Sequence, residues 1–299
     1  MSAQPLVSVP TQPGVENDAP SCVFTVDVED YFQVDAFSKV VDADSWDSYG
    51  LRVEANTRRI LDLLDEKGVK GTFFVLGWVA RRQPALVREI AGRGHEIASH
   101  GMSHRRVVTQ TPDVFRAETR ESKQLLEDIA QQKVLGYRAA TYSITNQSLW
   151  ALDILCEEGF VYDSSIFPVR HDRYGIPDAT IVPHRLRTQK GAEIVEFPLT
   201  VWQPGGVNVP IAGGGYFRFF PYALTRYGFR QVRAAGRPIV FYLHPWEVDP
   251  EQPRIPGAGW KSRFRHYLNL DKTHDRLSRL LSDFQFGTMR ACLSALKLL

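Results

Sequence analysis

From residue 22 to residue 248, short apolar runs alternate with amphipathic stretches, and that alternation predicts the architecture. Cys22-Val23-Phe24-Thr25-Val26 is a β-rich apolar run of the kind buried inside a sheet. Asn56 to Lys67 has helical spacing (Ile60, Leu63, Leu64) and stops at Gly68. A second strand follows at 71–77, then a helix from Gln83 to Arg93 with Pro84 near its start and Gly94 past its end. Further strands are expected at 96–99, 133–138 and 160–163, with helices at 113–131 and 146–158. Strands alternating with helices imply parallel strands wrapped by helices, and hence an α/β fold.

Beyond residue 164 the rhythm fails. The segment 165–220 is rich in Pro and Gly and predicts loops with short antiparallel strands. A helix near 221–235 leads into the apolar run Pro238 to Leu243, which ends at His244-Pro245-Trp246-Glu247. Three segments result: a disordered lead over 1–20, rich in Pro, Gln, Ser and Asn; a main α/β unit over 21–250; and a basic, amphipathic extension over 251–299.

Composition narrows the class. At 299 residues and 43% apolar, the chain can bury a sizeable core. A net charge of +2 gives no reason to expect a nucleic-acid partner. The charge is uneven, with nine acids and one base in residues 16–47 against nine Lys/Arg and three Asp in 254–299. That basic tail suits a solvated helix face, an anionic polymer or a membrane surface. Cys22, Cys156 and Cys292 have no CxxC spacing and suggest a reducing compartment. Without a secretion signal or an 18-residue apolar span, the expected location is the cytoplasm, with membrane association as the alternative.

The candidate chemistry clusters at strand ends. His95, His100 and His104 crowd the stretch after the third strand, and His100 and His104 stand four apart. On a helical turn that spacing directs both imidazoles to one cation. A third ligand is needed, and the acidic run Asp27-Val28-Glu29-Asp30 closing the first strand can supply it. Isolated, the His pair is more often a surface feature. Three acids abutting a buried strand, however, repel one another, and a cation relieves that repulsion.

The order of elements resembles the polysaccharide deacetylase (NodB-homology, carbohydrate esterase family 4-like) family over roughly residues 22–248. Thr72-Phe73-Phe74-Val75-Leu76-Gly77 is similar to its second strand, and Gly94-His95-Glu96-Ile97 through His104 to its histidine motif. Gly136-Tyr137-Arg138 resembles the arginine motif, Tyr162-Asp163-Ser164-Ser165 the fourth, and Leu243-His244 the last. DVEDYF, HPWE and the C-terminal extension resemble most the branch found beside exopolysaccharide and PEP-CTERM loci. Two departures stand out. The usual adjacent aspartates are replaced by Asp27-Val28-Glu29-Asp30, and Ala140 stands where a proline is usual.

The resemblance implies a distorted (β/α) barrel and hydrolysis of N-acetyl groups on amino sugars of a polysaccharide or its lipid-linked precursor. It implies a divalent ion, zinc by preference, with cobalt, nickel or manganese also compatible, on His100, His104 and an acid of the first strand's end: Asp30 is the favoured ligand, and Glu29 is the alternative if Asp27 is the base. Asp27 and Glu29 compete as general base, Arg138 holds that base ionised, and His244 protonates the leaving amine. His95 is expected to shape the strand end by hydrogen bonding. Asp163 either orients His244 or caps a turn. Trp202, Tyr216 and Trp246 are either a floor for a sugar ring or core. Two alternatives remain: an amidase on a small amide, as in allantoinase-like relatives, and a silent carbohydrate-binding module.

Overall fold

The computed structural model describes residues 21–171 and 173–299; the expected disordered lead lies outside the described residues. Eleven strands are present among them: β1 (Cys22–Val28), β2 (Thr72–Val75), β3 (Glu96–Ser99), β4 (Gly136–Tyr137), β5 (Tyr162–Asp163), β6 (His184–Arg187), β7 (Glu193–Glu196), β8 (Val201–Trp202), β9 (Val209–Pro210), β10 (Ile239–Leu243) and β11 (Phe286–Gly287). The main sheet runs β10-β1-β2-β3-β4-β5-β7-β6, parallel throughout except for the β6/β7 pair. β6 and β10 end the order unpaired with each other, so the sheet is a curled half-barrel. β8 and β9 form a separate antiparallel pair.

Ten helices accompany the strands: α1 (Val53–Glu66), α2 (Gly77–Arg82), α3 (Pro84–Gly92), α4 (Pro112–Ala130), α5 (Trp150–Glu157), α6 (Gly214–Phe219), α7 (Tyr222–Ala234), α8 (Trp260–Tyr267), α9 (Leu270–Asp283) and α10 (Met289–Ala295). Local chemistry sets their starts. Thr111 caps α4 by accepting from the Val114 amide, with Pro112 in the first turn. α1 has no cap from its own flank; the Asp30 carboxylate accepts from the Arg52 and Val53 amides at 2.8 and 2.9 Å instead. An acid at the positive end of the helix dipole is favourable there.

The expected extension over 251–299 is tied directly into the sheet. β11 pairs with the start of β1, and the Met289 and Arg290 amides donate to Thr72 Oγ1 and Glu96 Oε2. Met289, Cys292 and Leu293 are buried in a core shared with Val23, Phe74 and Val240. Its last part, from β11 onward, closes the amino-terminal end of the half-barrel, leaving the carboxyl ends of the strands for chemistry.

His95 sits at that closed end, where Nδ1 accepts from the Gly71 amide at 3.1 Å. Its hydrogen-bonding role is therefore structural, away from the His pair. An accepting nitrogen carries no proton, and burial, then Lys70, hold this pKa down to about 4. An unfolded histidine titrates near ~6.5, so the unfolded chain takes up the proton first, and this contribution to stability is lost as pH falls from about 6.5 to about 4. Across that window wild type should lose roughly 2–3 kcal/mol more than His95→Gln in urea melts. Equal losses would contradict the assignment.

Candidate active site

Strands β1, β3, β4 and β10 deliver their carboxyl ends to one cavity of about 260 Å³. Asp27, Glu29, His100, His104 and His244 all line it, with Tyr142, Tyr242 and Trp246. Ligand atoms of Glu29, His100 and His104 lie within 4.8 Å of one another. The cluster is buried, and its convergence does not come from a helical turn. Residues 100–106 are irregular backbone, and His104 reaches inward from a left-handed conformation with φ 55°. A non-glycine residue held there stores strain of the kind concentrated at functional sites.

Asp30 does not join the cluster. Its carboxylate accepts the Tyr31, Arg52 and Val53 amides, so both oxygens are spent on the backbone at the start of α1. The expectation that Asp30 is the acidic ligand is corrected on that ground: the acid beside the two imidazoles is Glu29. Because β1 runs through Val28, Asp27 and Glu29 share the cavity side and Asp30 turns away.

The donor set fits a divalent ion. Glu29 Oε2 faces His104 Nε2 but meets no donor in hydrogen-bond alignment, a buried carboxylate oxygen that a cation would satisfy. Burial would raise the Glu29 carboxyl, but His104 and His244 outweigh it and bring it down to about 2. Burial lowers His100 to about 4, so its ring is neutral, as a ligand must be. His100 Nδ1 donates to the Arg138 carbonyl at 2.9 Å, which leaves Nε2 bare toward Glu29 and His104.

Asp27 faces the same cavity from a fixed position. Arg138 Nη1 donates to Asp27 Oδ1 at 2.7 Å, and Tyr142 Oη to Oδ2 at 3.2 Å. Arg138 is fully buried, anchored by Thr25 and Ser164, with its guanidinium 4.0 Å over the Phe74 ring. Thr141 and Tyr142 both have positive φ, and this tight turn at Ala140–Tyr142 brings the Tyr142 hydroxyl back over Asp27.

His244 completes the far wall, with Nε2 at 3.6 Å from Glu29 Oε1. Its orienting partner is Glu247: Nδ1 donates to Glu247 Oε1 at 2.8 Å, and the His244 amide donates to the same oxygen at 3.0 Å. Arg218 Nε donates to the other oxygen at 2.6 Å and spends Nη1 on the His266 and Leu268 carbonyls. Burial opposes charge on His244, yet Glu29 and Glu247 lift its pKa to about 9. Gly214 passes so close that a Cβ there would fall 1.9 Å from Glu247 Oε1.

Asp163 is not that partner; it accepts from the Ser165 amide and hydroxyl, which makes it the cap of a turn. Of the three aromatics considered for a sugar floor, Trp246 alone lines the cavity, stacked between His244 and His266. Trp202 packs edge-on against Tyr227, and Tyr216 stacks on Phe220. Sequence reasoning missed Glu247, Arg218 and Tyr142. Glu247 had a signal, since Pro245 after His244 forces a turn that returns the acid three positions later.

Comparison with known proteins finds likenesses over parts of the chain. Residues 42–155 match the family model described as polysaccharide deacetylase, and residues 164–294 match a domain of unknown function, DUF3473, which runs through residue 250 without a break. The chain is 32% identical over 99 residues to a chitooligosaccharide deacetylase of Rhizobium leguminosarum bv. trifolii, covering 33% of this chain and 43% of that protein. The match thus spans less than half of that relative. Among solved structures, a putative polysaccharide deacetylase from Mycobacterium smegmatis superposes with TM-score 0.63 at 23% identity, over 97% of this chain and 95% of the other. Puue allantoinase does so with TM-score 0.59 at 16% identity, over 95% and 94%. These two likenesses concern the fold alone. The family model and the curated relative thus show a likeness to polysaccharide deacetylases over part of the chain, residues 42–155 in the case of the model.

Proposed function

We propose that the chain is a metal-dependent hydrolase that removes N-acetyl groups from N-acetylhexosamine units of a polysaccharide or its lipid-linked precursor, in exopolysaccharide assembly. One observation carries this reading: Glu29, His100 and His104 converge in a cavity that also presents Asp27 on Arg138 and His244 on Glu247. These are the parts amide hydrolysis needs, namely an ion site, a carboxylate base and a proton donor.

Glu29, His100 and His104 would hold the ion; their His₂-carboxylate chemistry suits zinc, and cobalt, nickel or manganese are compatible. When bound, such an ion polarises the acetyl carbonyl and acidifies water toward pKa ~7. Asp27 takes the proton of the attacking water, and Arg138 aims that carboxylate. His244 gives its Nε2 proton to the departing sugar amine, while Glu247 fixes the Nδ1 side of the ring.

Acetate release from N-acetylated chito-oligomers by protein loaded with Zn²⁺ or Co²⁺ tests the reading, with allantoin as the competing substrate. The expected result is release from the oligomers that chelator abolishes and added metal restores. Release untouched by chelator, or turnover of allantoin alone, would overturn it.

A further inference from the structure

Helix α8, WKSRFRHY, has two unlike faces. Ser262 and His266 turn inward and line the active cavity, with Arg265 at its edge. Outward, one turn apart, stand Trp260, 74% exposed, and Phe264, 54% exposed. Both are large apolar side chains a solvated helix has no reason to display. Lys261, Arg263 and Arg265 flank them, all exposed, and the helix contains no acid. Val40, 42% exposed, lies beside Gly257, three residues before the helix.

From this arrangement we propose that α8 docks the protein on an anionic membrane surface, holding the mouth of the cavity against the bilayer. Aromatic side chains ringed by Lys and Arg are the composition of a helix lying in a lipid interface. The charge complements acidic headgroups, each nearby cation strengthening attachment about fivefold. A sugar platform is disfavoured, because these rings stand among cations and line neither of the two large cavities. The helix's inner face is already part of the cavity wall, so docking brings lipid-anchored material to the site. The substrate consequence, an N-acetylhexosamine on a lipid carrier, rests on the hydrolase reading; the docking surface does not.

The test is flotation of the full chain with phosphatidylcholine vesicles, with and without phosphatidylglycerol. Binding should require the anionic lipid and weaken as salt screens it. Trp260→Ser/Phe264→Ser and Lys261→Glu/Arg263→Glu should each lower it at least about tenfold, with thermal melting and acetate release from soluble chito-oligomers unchanged. No binding to anionic vesicles, or binding indifferent to both double substitutions, would overturn the proposal. So would selective displacement from the vesicles by a soluble anionic polysaccharide, which would make the surface a polymer site. Vesicle binding without acetate release from soluble oligomers would leave the docking surface standing and defeat the hydrolase reading.

Discussion

Glu29→Gln should abolish tight binding of Co²⁺ or Zn²⁺, whereas Asp30→Asn should leave it nearly intact. The two acids are chain neighbours, so only the geometry at the end of β1 separates them. Glu29 shares a ligand cluster with His100 and His104, while Asp30 is consumed by three backbone amides. In titration calorimetry, Glu29→Gln should lose more than the ~10–100-fold that removal of an outer-shell partner costs. Its kcat/KM should fall about 10³-fold, since the ion's polarising effect is worth several kcal/mol and ~1.36 kcal/mol is tenfold. Asp30→Asn turns a donor toward a buried amide and should cost about 1–3 kcal/mol of stability in urea melts. The opposite pattern would restore Asp30 as the ligand.

Glu247→Gln should lower kcat by about 10²–10⁴-fold, the range that general acid–base catalysis supplies, with KM changed little. The amide can still accept from His244 at Oε1, but its NH₂ then faces Arg218 Nε, which loses its carboxylate while buried. Breaking a buried pair in this way destabilises by ~3–5 kcal/mol. The kinetics therefore belong well below the melting temperature, with folding checked by circular dichroism. A variant that melts earlier yet keeps wild-type kcat would make Glu247 a structural residue only.

The parts of the fold legible in the sequence are those where periodicity and punctuation agree. β1, β2, β3 and β10 are apolar β-rich runs, and α3 and α4 carry proline in their first turns. β4 and β5 are only two residues each, too short to show a period, and were located by position. Of the site, the meeting of the His pair with the acids at the end of β1 is expected from the sequence, while the backbone geometry that achieves it is not. That depends on a left-handed His104 and on a register that pairs Ser99 with Tyr137. The choice among Asp27, Glu29 and Asp30 could not be read locally, because two of the three amides that claim Asp30 lie more than twenty residues away at the start of α1. Arg218 is likewise tied to Glu247 across 29 positions, and no short-range pattern announces it.

The central claim is that one divalent ion is held by Glu29, His100 and His104 between Asp27 and His244. An anomalous difference map from crystals soaked in Co²⁺ measures it directly. The account predicts a single strong peak within bonding distance (~2.0–2.2 Å) of a Glu29 carboxylate oxygen and both imidazole Nε2 atoms. A peak on Asp30, or none in the cavity under conditions where the protein releases acetate, would contradict it.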